Sequence, residues 1–211
     1  RLCFDLALQR GRKSSLQLLH GSGDLNIILD QPELKLSYAA GGFAQINLEQ
    51  NSRLVEAVLE AASLNGAEQV LDLYCGMGNF SLPLARRAAF VTGIEDYGPS
   101  IAMARRNAVA NGIANVAFHA LPAELALDRY GCAFDLLLLD PPRTGAYALV
   151  RQLLNRPIPK VLYVSCDPQT LARDLQVLLN GGYRLVSSQA FDMFPQTHHV
   201  ESLTCLEYQS E

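Results

Sequence analysis

An apolar run, Val161-Leu162-Tyr163-Val164, ends at Ser165-Cys166, and Asp167-Pro168 follow at once. A cysteine where a strand gives way to a helix can act as a nucleophile, because the helix N-terminus helps to ionise the thiol. Asp167 works the other way, since a carboxylate disfavours a second anion beside it. The competing reading is a buried structural thiol, which would fit anywhere along the strand. Three other stretches occupy equivalent places. Asp72-Leu73-Tyr74-Cys75-Gly76-Met77-Gly78-Asn79 carries two glycines that let the backbone turn tightly and approach a ligand. Gly93-Ile94-Glu95 ends in an acid suited to a ribose diol, and Asp140-Pro141-Pro142-Arg143 adds a second carboxylate. The glycine pair is not a full GxGxxG and no Gly-Lys-Ser/Thr follows, which disfavours a dinucleotide or a phosphate loop. S-adenosylmethionine has no pyrophosphate to cradle, so a looser loop suffices for it.

These residues need a frame. Strands are predicted at Val70–Cys75, Phe90–Glu95, Val116–Leu121, Phe134–Asp140 and Val161–Cys166, with helices near Asn79–Arg87, Ser100–Asn111, Tyr147–Leu154 and Thr170–Leu179. Leu136-Leu137-Leu138-Leu139 is apolar without alternation, as a strand covered on both faces should be. Pro99 precedes one helix and Gly112 follows it; Asp167 suits the N-cap of the last, Pro168 its first turn, and Gly181-Gly182 its end. Two further strands fit Tyr183–Ala190 and Ser202–Tyr208, and a helix fits Asn51–Leu64. The alternation describes an open, mostly parallel α/β sheet, in which ligands bind outside the carboxyl ends of the strands. Residues 1–42 read differently. Leu25–Asp30 and Leu34–Tyr38 look like short strands, taken as the end of a β-rich region that is truncated here; residues 43–211 form the α/β domain.

Bulk properties narrow the class. The chain has 211 residues, 49% hydrophobic, which suits one full domain with a short appendage. No apolar run reaches the ~20 residues of a membrane span. The five cysteines are scattered, with no CxxC pair, so neither a disulfide framework nor a metal or iron–sulfur site is expected within the chain, and a cytoplasmic location is. A net charge of −4 argues against a general nucleic-acid coating protein while leaving room for a local arginine patch. Adjacent His198-His199 on an extended chain would point opposite ways and chelate poorly.

Seven stretches resemble the RNA uracil-C5 methyltransferases, in family order over residues 43–208: Phe43-Ala44-Gln45-Ile46-Asn47, Leu71–Ala85, Gly93–Glu95, Asn107–Val116, Leu138–Ala146, Tyr163–Leu175 and Phe191–Ser202. The resemblance implies a class I S-adenosylmethionine-dependent methyltransferase fold, Rossmann-like, with a mostly parallel seven-stranded sheet. It implies that Gln45, Tyr74, Asn79, Glu95 and Asp140 line the cofactor site, that Cys166 is the nucleophile and that Glu201 is the base. By itself Glu201 would read as a surface acid. The implied partner is ribosomal or transfer RNA presenting a flipped or looped uridine, with a lean to 23S rRNA from Phe191–Thr197, and the protein is expected to be a monomer. Phe43 could stack on the base. Arg143 could meet phosphate or be a solvated surface residue, and Asp140 could face the uracil edge instead of the cofactor. The family's N-terminal RNA-binding barrel and its cysteine cluster for a [4Fe–4S] centre are not visible in the chain.

The chemistry calls for these residue types. Uracil C5 is too weak a nucleophile to take a methyl from a sulfonium unaided, and a thiolate adding at C6 makes it one. A base must then remove the C5 proton. Two other readings stand beside this one. Asp140-Pro141-Pro142 resembles the motif of exocyclic-amine N-methyltransferases, although Arg143 stands where they carry an aromatic residue, and an inactive RNA-binding scaffold would need neither Cys166 nor Glu201. A cytosine-C5 enzyme usually places proline before its cysteine, where this chain has Ser165.

Overall fold

A computed structural model describes residues 24–29, 33–39, 45, 47–197 and 200–209. Phe43 and the His198-His199 pair lie outside them. The central element is a seven-stranded sheet in the order β5-β4-β3-β6-β7-β9-β8. Its strands are β3 (Gln69–Leu73), β4 (Phe90–Glu95), β5 (Val116–Ala120), β6 (Leu136–Leu139), β7 (Lys160–Ser165), β8 (Tyr183–Phe191) and β9 (Glu201–Tyr208). The first five are parallel; β9 runs antiparallel to both β7 and β8.

Strand periodicity sends alternate residues to two cores. Leu136, Leu138, Leu162 and Val164 pack on one face, together with helices α1 (Leu48–Ala62), α2 (Ser81–Ala85) and α3 (Gly98–Ala110). Leu137, Leu139, Val161 and Tyr163 pack on the other, against α4 (Ala126–Tyr130), α5 (Tyr147–Leu153) and α6 (Pro168–Asn180). The run of four leucines in β6 is buried throughout, as its lack of alternation predicts.

The hairpin of β1 (Asp24–Leu29) and β2 (Leu34–Ala39) joins the first core through Ile27, Leu29, Leu34 and Leu36. Its outer edge is closed by side chains. Asn107 and Asn111, one turn apart on α3, each exchange two hydrogen bonds with the β2 backbone: Asn107 with Ser37 at 2.8 and 2.9 Å, Asn111 with Lys35 at 3.0 and 2.9 Å. A carboxamide carries both donor and acceptor groups, so each asparagine pairs with β2 as a strand residue would, and its second N–H bonds elsewhere: Asn107 to the Met77 carbonyl and Asn111 to the Asn107 carbonyl.

Element ends differ from the sequence reading where the backbone leaves regular geometry. Tyr74 has φ +66°, so β3 stops before Cys75. Gly76 and Gly78 also have positive φ, which delays the next helix from Asn79 to Ser81. The five-residue α4, preceded by a single 3₁₀ turn at Ala123–Leu125, is absent from the sequence reading because it is too short to show a period. The capping at α6 agrees with expectation. Asp167 accepts from the Gln169 and Thr170 amides, Pro168 opens the helix and Gly181 closes it. Among the described residues no helix is long and apolar enough to cross a membrane.

Candidate active site

The carboxyl ends of β3, β4, β6 and β7 and the start of β9 surround a cavity of about 830 Å³. Of the residues singled out from sequence, Gln45, Tyr74, Glu95, Asp140, Arg143, Cys166 and Glu201 line it together. Asn79 does not. Its side chain exchanges two hydrogen bonds with Asn51 of α1, at 2.9 and 3.0 Å.

At one end of the cavity the backbone holds the acid that closes β4. The Glu95 carboxylate accepts from the Gly76 amide at 3.2 Å and from the Tyr97 amide at 2.8 Å, which fixes its plane at the end of β4. Gly93, within β4, lets the aromatic ring of Phe118 close in: an added Cβ would come within 2.6 Å of it. Gly76 has open space where a Cβ would stand, so the turn leaves its backbone approachable. Burial, then the charge and hydrogen bond of Glu124, push the Tyr74 phenol upward.

The strand that leads into the Tyr74 turn, β3, holds a carboxyl to which the sequence reading gave no role. Asp72 is fully buried in β3, accepts a hydrogen bond from Ser81 on one oxygen, and has no protein partner on the other. Burial raises it to about 7; Ser81 opposes the shift and Glu95 adds to it. The signal for it was present, since an acid in an apolar strand needs a reason. Asp96, Tyr97, Ser100, Glu124 and Phe194 also line the cavity. The first three follow Glu95 directly along the chain, whereas Glu124 belongs to the turn too short to read.

At the other end lie the groups suited to covalent chemistry. Antiparallel pairing sets Val164 against Leu203 and Ser165 against Ser202. Cys166 directly follows β7 and Glu201 opens β9, so both come to the same edge of the sheet and line the cavity. Ser202 ties the strands again by donating to the Ser165 carbonyl at 3.2 Å. Cys166 is half-buried and Glu201 is 5% exposed. Burial, then Glu201 and Asp140, push the Cys166 thiol up, and Arg143 opposes them. Asp167, feared as a counterweight, is instead engaged in capping α6, and its own carboxyl is held low by the Thr170 amide first of all. Burial also raises Glu201, again opposed by Arg143. Asp140 is pushed well above its usual range by burial and then by Glu201, Asp72 and Glu95. The cavity is thus acidic, with Arg143 as the cation felt by both the thiol and Glu201. Among the described residues no group of three or more histidine, cysteine, aspartate or glutamate side chains could hold a metal ion.

Fold and cavity together define a class I S-adenosylmethionine-dependent methyltransferase domain. A solved Pyrococcus abyssi tRNA (uracil-54, C5)-methyltransferase in complex with S-adenosyl-L-homocysteine superposes with a TM-score of 0.79 at 32% identity, covering 94% of this chain and 48% of that one. TrmN from Thermus thermophilus shares the fold at a TM-score of 0.61 and 23% identity, over 74% of this chain and 48% of its own. The chain belongs to the tRNA (Uracil-5-)-methyltransferase family, whose model matches residues 5–127 and 118–209. Among relatives named 23S rRNA (uracil(1939)-C(5))-methyltransferase RlmD, that of Shewanella amazonensis is 42% identical over 95% of this chain and 45% of its own. That of Stenotrophomonas maltophilia strain K279a is 42% identical over 97% and 47%. The chain therefore spans less than half the length of these two, whereas it covers 90% of the Photobacterium angustum relative at 41% identity.

Proposed function

We propose that this chain carries the catalytic centre for S-adenosylmethionine-dependent methylation of uridine C5 in RNA, with 23S rRNA the favoured substrate. The observation that supports the proposal is that Cys166, Glu201 and Glu95 line one cavity, with Cys166 directly after β7 and Glu201 at the start of the neighbouring β9. Glu95 would take the cofactor's ribose, and the Gly76 turn and Tyr74 would approach the rest of it. When bound, the cofactor supplies an electrophilic methyl group and a sulfonium charge that suits an acidic cavity.

The protein's own groups then have distinct tasks. The Cys166 thiolate forms a bond to uracil C6, and the ring's C5=C6 electron pair moves toward O4 to give an enolate nucleophilic at C5. C5 bonds to the methyl carbon as the carbon–sulfonium bond breaks, its electrons staying on the sulfur. Glu201 takes the C5 proton, the C5–H pair restores C5=C6, and the Cys166 thiolate is expelled. A carboxylate raised by burial is a better base near neutral pH than an ordinary glutamate. Arg143 offsets the groups that hold the thiol protonated. The raised Asp140 carboxyl suits a hydrogen bond to the uracil edge, and Gln45, buried at 8% exposure, suits a second one. A thiol recessed in this cavity requires the uridine to leave its stack or to lie in a loop. Such a substrate places the enzyme with cellular RNA in the cytoplasm.

The test is nucleoside mass spectrometry after incubation with labelled methyl donor and unmodified 23S rRNA or tRNA transcripts. 5-Methyluridine in the rRNA is expected. Label on an exocyclic amine would overturn the proposal, as would donor binding without methyl transfer to either RNA.

A further inference from the structure

The loop between β6 and α5, residues 140–146, brings Asp140 and Arg143 to the cavity, yet its own backbone offers little to hold it. A turn at Gly145, whose amide donates to the Pro142 carbonyl at 2.8 Å, is its local support. The stronger attachment comes from α6, the helix that begins directly after Cys166. Asp174 on α6 is fully buried. One of its oxygens accepts from the Ala146 amide at 2.7 Å and from the Tyr163 hydroxyl of β7 at 2.7 Å. The other accepts from Arg173 Nε at 2.8 Å, and the same guanidinium reaches the Thr144 carbonyl at 2.9 Å. One turn earlier, Thr170 donates to the Arg143 carbonyl at 3.1 Å.

A buried carboxylate is costly unless every lone pair is engaged, and an apolar residue would fill the same space more cheaply. Here the donors come from the loop that carries Arg143, from β7, which Cys166 directly follows, and from α6 itself. The loop is fitted closely to this clasp: a Cβ at Gly145 would come 2.6 Å from Asp174 Oδ2 and 2.7 Å from Arg173 Nη2. We infer that Asp174 and Thr170 are positioning residues, which fix the Arg143 segment in register with Cys166 by tying both to the first turns of α6. Neither lines the cavity, so both act through Arg143. The inference rests on the proposed chemistry only in giving Cys166 its role.

The readout is the thiol itself. Facing Cys166 are Glu201 from β9, Asp140 and Arg143 from the loop, and Asp167 at the start of its own helix. Alkylation of Cys166 by iodoacetamide is followed across a pH series by mass spectrometry, with S-adenosylhomocysteine affinity measured in parallel. Arg143→Gln should move the alkylation midpoint upward, because a favourable charge is lost. Asp174→Asn and Thr170→Val should move it the same way, each by about half a pH unit, with cofactor affinity held within about twofold. In the Arg143→Gln background neither should add a further shift. An unchanged midpoint in the single variants would overturn the inference, and so would an undiminished shift without Arg143. Should Asp174→Asn fail to fold, Thr170→Val decides alone: it keeps the Thr170 amide on Asp167 but removes the hydroxyl from Asp167 as well as from the Arg143 carbonyl, so the part of its shift that vanishes in the Arg143→Gln background is the part that counts. Alkylation requires no RNA, so a chain that proved unable to methylate uridine would still answer this test.

Discussion

Glu95→Gln tests the cofactor assignment most sharply, because the structure fixes what the substitution removes. The carboxylate meets two backbone N–H groups, from Gly76 at 3.2 Å and Tyr97 at 2.8 Å, one on each oxygen. A glutamine has one acceptor oxygen, so its NH₂ must face one of those donors or turn away from it. Leaving a buried N–H unpaired costs about 1–3 kcal/mol, so the part-buried Gly76 amide sets the upper limit and the exposed Tyr97 amide, which water can reach, costs less. In the complex the loss concerns the ribose, since a hydrogen bond to a charged acceptor contributes about 1.5–3 kcal/mol against about 0.5–1.5 for a neutral one, a difference of about 1–1.5 kcal/mol. That corresponds to roughly 5- to 13-fold weaker binding for each hydrogen bond to the diol. Isothermal titration with S-adenosylhomocysteine measures it directly, and urea denaturation of the free variant reports the first effect separately. A variant that folds and binds within about twofold of the parent would refute the diol reading.

Three other outcomes follow from Glu201 and the buried Asp72. Glu201→Gln should still let Cys166 attack but should accumulate the methylated adduct, visible as slow release on ordinary RNA; normal turnover would require a different base. In the parent protein, turnover should decline as pH falls through the raised Glu201 value, since only the carboxylate accepts the proton. Asp72 supplies a stability effect of defined sign. Its folded value of about 7 lies above the ordinary 3.8, so the native state holds a proton that the unfolded chain has released. The stabilisation is complete below the ordinary value, is lost as pH rises toward 7, and amounts to at most on the order of 4 kcal/mol. Urea midpoints at about pH 5 and about pH 8 should therefore differ less in Asp72→Asn than in the parent; equal slopes would show that Asp72 does not carry the effect.

Much of the site was legible because sheet topology does the positioning. Once Val161–Cys166 reads as a parallel strand, Cys166 must emerge at the edge where the Gly76 turn, Glu95 and Asp140 also emerge. A last strand antiparallel to β7 returns Glu201 to that same edge. What could not be read depends on contacts between distant segments. Asp174 looks like any polar residue on an amphipathic helix until the 140–146 loop packs over it. Asn79 reads as part of the ligand turn, and only the approach of α1 shows its amide engaged with Asn51. Tyr74 has a side chain that gives no hint of a left-handed backbone. The balance at the thiol was likewise hidden. Asp167 caps its helix as the sequence reading expects, whereas burial and then Glu201 and Asp140, remote in sequence, raise the thiol.

The central claim is that the Cys166 thiolate bonds to uracil C6. 5-Fluorouridine has no C5 proton to surrender, so an enzyme using this route stalls as a covalent protein–RNA adduct. With RNA carrying 5-fluorouridine and S-adenosylmethionine present, the parent chain should form an adduct that survives denaturing electrophoresis. Peptide mapping should place the modification on Cys166, and Cys166→Ala should form none. An adduct of equal yield in Cys166→Ala would contradict the account.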